Sequence, residues 1–168
     1  MVTLETPGPR RQREFLAAVR LSRTLHAGWV SPPRTPAQYQ RYLERSRRDD
    51  FIANFVCTGD GALAGVINIS EIVRGVFRSG YLGFYALMPH AGRGIMRAGL
   101  ERVVQVSFRG HRLHRLEANI QPGNVRSIAL VNALGFRREG YSPRYLKIGG
   151  RWRDHERWAL IAEDWFVS

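Results

Sequence analysis

Lysine is nearly missing from this chain. Lys147 is the one lysine among 26 basic residues, so 25 arginines carry almost all of the positive charge. Acids are scarce as well, 14 aspartates and glutamates leaving a formal net charge of +12 at pH 7. Cys57 is the single cysteine, which excludes a disulfide framework within the chain and makes a reducing compartment the simplest assignment. It sits in the apolar run 51–57 and reads as a small core residue. No apolar run approaches the roughly 20 residues of a membrane-spanning helix, and the start Met1-Val2-Thr3-Leu4-Glu5 lacks the basic-then-apolar order of a signal peptide. The expected location is therefore cytoplasmic, with no membrane partner. His26, His90, His111, His114 and His155 have no metal-ligand spacing with Cys57 or with one another, so no metal site is expected.

The arginine excess admits two readings. Guanidinium groups bind phosphate bidentately, and the attraction grows with the phosphates neutralised, so a basic surface suits ribosome or RNA association. The plainer reading is a compositional preference for arginine over lysine on a solvated surface. Either way, a polycationic substrate such as a polyamine or an aminoglycoside is repelled unless the cleft gathers the few carboxylates.

The length of 168 residues and an apolar content of 44% fit a single domain, 1–168, with one core. Residues 2–4 read as a short first strand and 11–24 as a helix with Phe15, Leu16, Val19 and Leu21 as core candidates. Trp29-Val30-Ser31-Pro32-Pro33 is a proline-stiffened loop. Thr35-Pro36 supplies an N-cap and an N1 proline for a helix over 36–48, with Tyr39, Tyr42 and Leu43 on its apolar face and its charges toward water. Strands at 51–57 and 62–73 flank Thr58-Gly59-Asp60-Gly61, a hairpin turn. Further strands are expected at 80–87, 113–120, 137–145 and 151–161, the last pair joined by a turn over 147–151. The order implies an α/β (α+β) fold, a mixed and mostly antiparallel sheet of six or seven strands with four helices.

The most informative stretch is Gly83-Phe84-Tyr85-Ala86-Leu87-Met88-Pro89-His90-Ala91-Gly92-Arg93-Gly94-Ile95-Met96, an apolar strand running into a glycine turn that opens a helix. Ile95, Leu100, Val103, Val104 and Phe108 have helical spacing, so the helix starts near Gly92 to Gly94 with unpaired N–H groups at its positive end. Such a start favours a diphosphate, and two glycines let backbone approach a ligand closely. Downstream, Asn124 reads as the N-cap of a short helix and Gly135 as its C-terminal glycine.

These elements, in the order strand, glycine turn, long helix, strand, Asn-x-x-Ser helix, Gly-Phe-x-x-Glu-Gly strand, resemble the GNAT superfamily of acyl-CoA N-acyltransferases. Within it, the chain is similar to the RimJ/RimL-type branch, which acetylates protein N-termini including those of ribosomal proteins. The narrower resemblance rests on Val73-Arg74-Gly75, Gly80-Tyr81-Leu82-Gly83, Gly92-Arg93-Gly94-Ile95-Met96, Gly135-Phe136-Arg137-Arg138-Glu139-Gly140-Tyr141 and Trp152-Arg153-Asp154-His155.

The resemblance implies direct attack of a neutral amine on the thioester of acetyl-CoA, on a sheet with a splayed central strand pair. It places the pyrophosphate on the backbone of Gly92, Arg93, Gly94, Ile95, Met96 and Arg97, with the Arg93 and Arg97 side chains as helpers. The pantetheine arm pairs with Phe84, Tyr85 and Ala86 and is held by Asn124. Two departures stand out from the superfamily pattern Arg/Gln-x-x-Gly-x-Gly/Ala. Ala91 replaces a polar residue that braces the turn, with weaker cofactor binding as the most it should cause; Met96 replaces a small residue but is familiar in the RimJ-like branch, so Ala91 is the one real anomaly. Val131 stands where many members carry an acidic tyrosine. Ser127 is then the nearest proton donor for the CoA sulfur, its competing role being a helix-start serine. Glu117, on the strand beside the splay, is the candidate base, its competing role being a carboxylate paired with an arginine. Trp29 and, at the edge, Tyr141 and Tyr145 are acceptor-cleft candidates, while Asp154 and His155 are expected to fix the final strand. An α-amine, with an ordinary pKa of about 7.7–8.0, needs less help losing its proton than a lysine at about 10.4, so a site without a strong base leans toward a protein or peptide N-terminus. Small-molecule amine acetylation, antibiotic detoxification included, and an RNA-binding module on a degenerate scaffold remain as alternatives. Monomer and homodimer both fit.

Overall fold

Alternating side chains along one long strand set the layers of this molecule. A computed structural model describes residues 1–167. In β3 (Leu63–Val73), Ile67 and Ile69 enter one apolar cluster and Val66 another, as the two-residue period of a strand requires. The first cluster lies under α4 (Ile95–Arg109) and includes Leu100, Val103, Val104 and Phe108. The second lies under α1 (Gln12–Leu21) and α3 (Pro36–Arg45), where Phe15, Tyr39, Tyr42 and Leu43 pack on Phe55.

The remaining elements are β1 (Thr3–Glu5), α2 (Arg23–His26), β2 (Ile52–Cys57), β4 (Ser79–Ala86), β5 (Arg115–Ile120), α5 (Val125–Ala133), β6 (Arg137–Ile148), β7 (Arg151–Ile161) and α6 (Ala162–Val167). Seven strands form one sheet in the order β1-β2-β3-β4-β5-β7-β6. Every neighbouring pair is antiparallel except β4 and β5. Those two pair only over Ser79–Tyr81 and Arg115–Glu117. Beyond Tyr81 and Glu117 they diverge, which produces the expected splay at the centre of the sheet.

The expected architecture holds, with local differences. The helix expected over 11–24 breaks at Ser22, which ends α1 and precedes α2. Its hydroxyl donates to the Ala18 carbonyl at 2.7 Å and accepts the Met88 N–H at 2.9 Å, a tie to the segment after β4. α3 stops at Arg45, with Thr35 Oγ1 accepting the Gln38 N–H at 3.2 Å as its cap. β6 runs to Ile148, past the expected end, through register irregularities between Arg138 and Gly140 and between Ser142 and Leu146. The short α6 has no counterpart in the sequence reading. It is held by a Trp165 Nε1 to Gln105 Oε1 bond of 3.0 Å and by Phe166 packing on Phe108.

Candidate functional site

The glycine turn is built as a cradle. Gly92 and Gly94 have φ of 78° and 76°, the left-handed region that glycine enters without penalty. Both are exposed, and a Cβ at either would meet no protein atom within 4 Å, so open space lies over the turn. Gly94 is the N-cap of α4 and makes no side-chain bond. The first bond into the helix is from Ala98 N–H to the Gly94 carbonyl at 3.2 Å. The N–H groups of Ile95, Met96 and Arg97 therefore have no acceptor in the helix ladder and face out of its positive end. No acid lies in the first turn. Arg93 is exposed, and Arg97 pairs with Glu101 at 3.1 Å. Met96 has a structural reason: its thioether fills the space above Gly65 of β3, where a Cβ would collide with the sulfur.

The splay presents two rows of main-chain groups. The Leu87 N–H donates to the Ala64 carbonyl at 2.8 Å, so by the alternation of an antiparallel ladder Tyr85 and Gly83 also face β3, while Phe84 and Ala86 face away from it, into the splay. Across the gap, Ala162 N–H donates to the His114 carbonyl at 2.9 Å, so Leu116, Ala118 and Ile120 face β7 and the main chains of Glu117 and Asn119 face β4. Of the three residues assigned to the pantetheine arm, Phe84 and Ala86 thus offer main-chain groups to the gap, whereas the Tyr85 main chain is turned to β3. The Tyr85 side chain is partly buried, and desolvation holds its hydroxyl pKa well above the usual tyrosine value. The Ala86 carbonyl is occupied: it accepts from His26 Nε2 at 2.7 Å. Burial, opposed by that bond and reinforced by the nearby Arg34 charge, lowers the His26 pKa. Asn119, which sequence reasoning missed, joins the site only because the register turns its main chain inward.

At the open end of the gap, α5 begins. Asn124 Oδ1 accepts the Ser127 N–H at 3.3 Å, the expected cap. Ser127 is half-buried on the first turn, and its hydroxyl makes no hydrogen bond among the described residues. Val131 is fully buried in the core, so the position that carries an acid in many superfamily members is packing here. Glu117 is ion-paired: Arg115 Nε donates to its Oε1 at 2.8 Å, and the same guanidinium holds Glu139. Hydrogen bonding to Glu139 raises the Arg115 pKa and lowers that of Glu139. The Tyr81 hydroxyl pKa is raised by burial and then by the Glu117 charge. Asn119 Oδ1 and Arg157 Nε, cross-strand neighbours, are buried and unpartnered among the described residues.

The acceptor-side candidates separate. Trp29 packs on Gly123, and Gln121 Nε2 donates to the Gly28 carbonyl at 2.8 Å, joining the loop before α3 to the end of β5. Trp29 lines a small cleft of about 360 Å³ with Trp152 and Asp154. Tyr141 donates to Asp154 Oδ2 at 2.5 Å, and Asp154 Oδ1 accepts the Arg144 N–H at 2.8 Å, so both residues brace the β6–β7 hairpin. Tyr145 stands edge-on to the buried His155, with ring centroids 6.3 Å apart. A larger cleft, of about 790 Å³, lies between the loop before α3, α3 itself, β3–β4 and the tip of the β6–β7 hairpin. Tyr42, Phe51, Asn68 and Tyr85 are in its wall, with Tyr42 donating to Asn68 Oδ1 at 2.8 Å. Arg34, Arg41 and Arg45 also line it, and no carboxylate does among the described residues. The charges of α3 are exposed as expected, and two of them, Arg41 and Arg45, lie along this cleft. No signal along the chain distinguishes a charged helix face over a cleft from one over water.

Among the described residues no group of three or more histidines, cysteines or acids is placed to hold a metal, and no helix is long and apolar enough to cross a membrane.

The family described as "Acetyltransferase (GNAT) domain" matches residues 2–137. The chain is 42% identical over 103 residues to the [ribosomal protein uS5]-alanine N-acetyltransferase of Escherichia coli, a match covering 61% of this chain and 53% of that protein. The chain thus spans about half the length of that relative. The structure of Mycobacterium smegmatis RimJ in complex with CoA-disulfide superposes with a TM-score of 0.88 at 26% identity, covering 96% of this chain and 82% of that one. The spermidine N-acetyltransferase of Vibrio cholerae, solved with CoA and spermine, has the same fold, with a TM-score of 0.84 at 19% identity, covering 98% of each chain. The cradle before α4, the splay between β4 and β5 and the capped start of α5 therefore stand in a recognised frame: the chain belongs to the GNAT family of N-acetyltransferases.

Proposed function

We propose that this chain, acting as one acyl-CoA N-acyltransferase domain over 1–168, transfers the acetyl group of acetyl-CoA to the α-amine of a protein N-terminus, a ribosomal protein in the reading the relatives favour. One observation carries the cofactor half of this proposal. Two strand edges with unpaired main-chain groups, at Phe84 and Asn119, lead to a helix start whose free N–H groups lie under open space. That shape and donor set fit an amide-bearing arm ending in a pyrophosphate.

Acetyl-CoA supplies an activated acyl thioester. The amine nitrogen bonds to the acetyl carbon, the C–S bond breaks, the nitrogen gives up a proton and the thiolate takes one. The N–H groups of Ile95, Met96 and Arg97, with the exposed Arg93 side chain, bind the pyrophosphate. Phe84 and Asn119 main-chain groups orient the arm, and an N–H at the gap stabilises the carbonyl oxygen as its charge develops. Asn124 holds the arm while capping α5. The Ser127 hydroxyl donates to the leaving sulfur. Glu117 is tied to Arg115 and takes the amine proton through water at most, so the site suits an amine that is already largely neutral near pH 8. An N-terminal α-amine meets that requirement better than a lysine.

Calorimetric titration with acetyl-CoA, followed by CoA-release kinetics with peptides beginning Ala or Ser, tests the reading. One-site binding with turnover of such a peptide is the expected result. Turnover of small amines alone moves the assignment to the small-molecule alternative. Absence of acetyl-CoA binding combined with steeply salt-dependent RNA binding refutes the transferase reading.

A further inference from the structure

The larger cleft carries charge of one sign. Arg34, Arg41 and Arg45 line it. Arg34 and Arg41 have no ion-pair partner among the described residues. Arg45 stands over the Phe51 ring at 4.5 Å and reaches Glu71 only at 3.5 Å, where both side chains are exposed. Low-dielectric walls of Tyr42, Phe51 and Tyr85 concentrate the field of the three guanidinium groups inside the cleft. Arg34 also stands within electrostatic reach of His26, whose Nε2–H holds the Ala86 carbonyl at the open end of β4. Gly83 and Tyr85 are in the cleft wall as well, so the cationic cleft adjoins β4, the strand that borders the splay.

Its spacing matches an extended peptide. Arg41 and Arg45 are four residues apart on α3, a rise of about 6 Å. Alternate side chains of an extended strand are about 6.8 Å apart. A volume of about 790 Å³ is within the range that encloses a ligand of several groups.

We propose that the acceptor is an acidic peptide N-terminus: the residues following the reactive amine carry carboxylates that Arg34, Arg41 and Arg45 bind. This rests on the N-terminal acetyltransferase reading and names its substrate class. Guanidinium takes carboxylate bidentately, which gives register as well as attraction. The carboxylates enter the cleft while the amine reaches the gap between β4 and β5. A polyamine meets three like charges and no carboxylate, so the shared fold with a spermidine acetyltransferase does not extend to its acceptor.

The test measures occupancy without requiring turnover. Two N-acetylated, fluorescently labelled octapeptides, alike except for Asp and Glu in one and Lys in the other after the first residue, are titrated by anisotropy, with and without excess CoA. The acidic peptide is expected to bind at least about tenfold more tightly, as two or three screened charge pairs supply. The double variant Arg34→Gln/Arg41→Gln is expected to remove that preference while leaving calorimetric acetyl-CoA binding unchanged. Equal binding of the two peptides, tighter binding of the basic one, or a preference that survives the double variant overturns the proposal. So does a single-stranded RNA that displaces the acidic peptide and loses affinity in the same variant, which would make the cleft a nucleic-acid site. Failure of acetyl-CoA to bind would overturn the transferase reading, and the anisotropy comparison would still decide the charge of the occupant.

Discussion

Replacing Gly94 by tryptophan separates the fold of the turn from its use. Gly94 has φ of 76°, and a Cβ there meets no protein atom within 4 Å. The folded chain therefore suffers only the left-handed backbone penalty of an L-residue, about 1–2 kcal/mol. For a chain of this length each kcal/mol lowers Tm by about 2–4 °C, so a loss of roughly 2–8 °C is expected. The indole, however, projects into the space over the free N–H groups of Ile95, Met96 and Arg97, where the pyrophosphate is assigned. Loss of the charge-assisted bonds from that cradle, at about 1.5–3 kcal/mol each, amounts to at least about a hundredfold in affinity once two are gone. Differential scanning fluorimetry reads the first effect and calorimetry with acetyl-CoA the second. Gly94→Asn is the control, since asparagine tolerates the same backbone region and is short. Tryptophan binding acetyl-CoA as well as wild type refutes the cradle assignment. A Tm loss far beyond 8 °C would instead mean that the space over the turn is part of the fold.

Two further outcomes follow from the geometry. Ser127→Ala should lower kcat by about 10- to 100-fold, within or below the span of a general acid, with acetyl-CoA affinity nearly intact because the Asn124 cap uses the Ser127 backbone N–H; unchanged kcat removes Ser127 from the chemistry. Burial places the His26 pKa below its ordinary value of 6.5, so the unfolded chain takes up this proton first, and the stability that neutral His26 contributes is complete above pH 6.5 and lost as pH falls through the lower folded pKa. The fall in Tm between pH 7.5 and 5 should be smaller in His26→Gln than in wild type, and identical falls would show that His26 does not titrate with unfolding.

The nearest-neighbour chemistry of the chain was sufficient for most of the frame. Two-residue alternation in Leu63–Val73 and the 3.6-residue spacing of Leu100, Val103, Val104 and Phe108 depend only on which faces must be buried. Gly92, Gly94 and the Asn124 cap are likewise local, because positive φ and an orphan N–H are solved within a few residues. The splay followed from resemblance, and its physical content, the turning of Phe84 and Asn119 main chains into one gap, follows from registers between distant strands.

Contacts across long sequence separations decided the rest. Ser22 breaks the first helix because its hydroxyl serves both Ala18 and Met88, and nothing near Ser22 in the chain announces Met88. Glu117 is held by Arg115, and only the fold brings Glu139 to the same guanidinium. Met96 is larger than the small residue usual across the superfamily, and Gly65, far earlier in the chain, makes room for it. Charge count alone said only that polycations are disfavoured. Which arginines line a cleft, and that no acid among the described residues joins them there, is set by how α3 folds over β3 and β4. Burial periodicity is written residue by residue in the sequence, whereas the charge of a cleft belongs to segments that meet only in the folded chain.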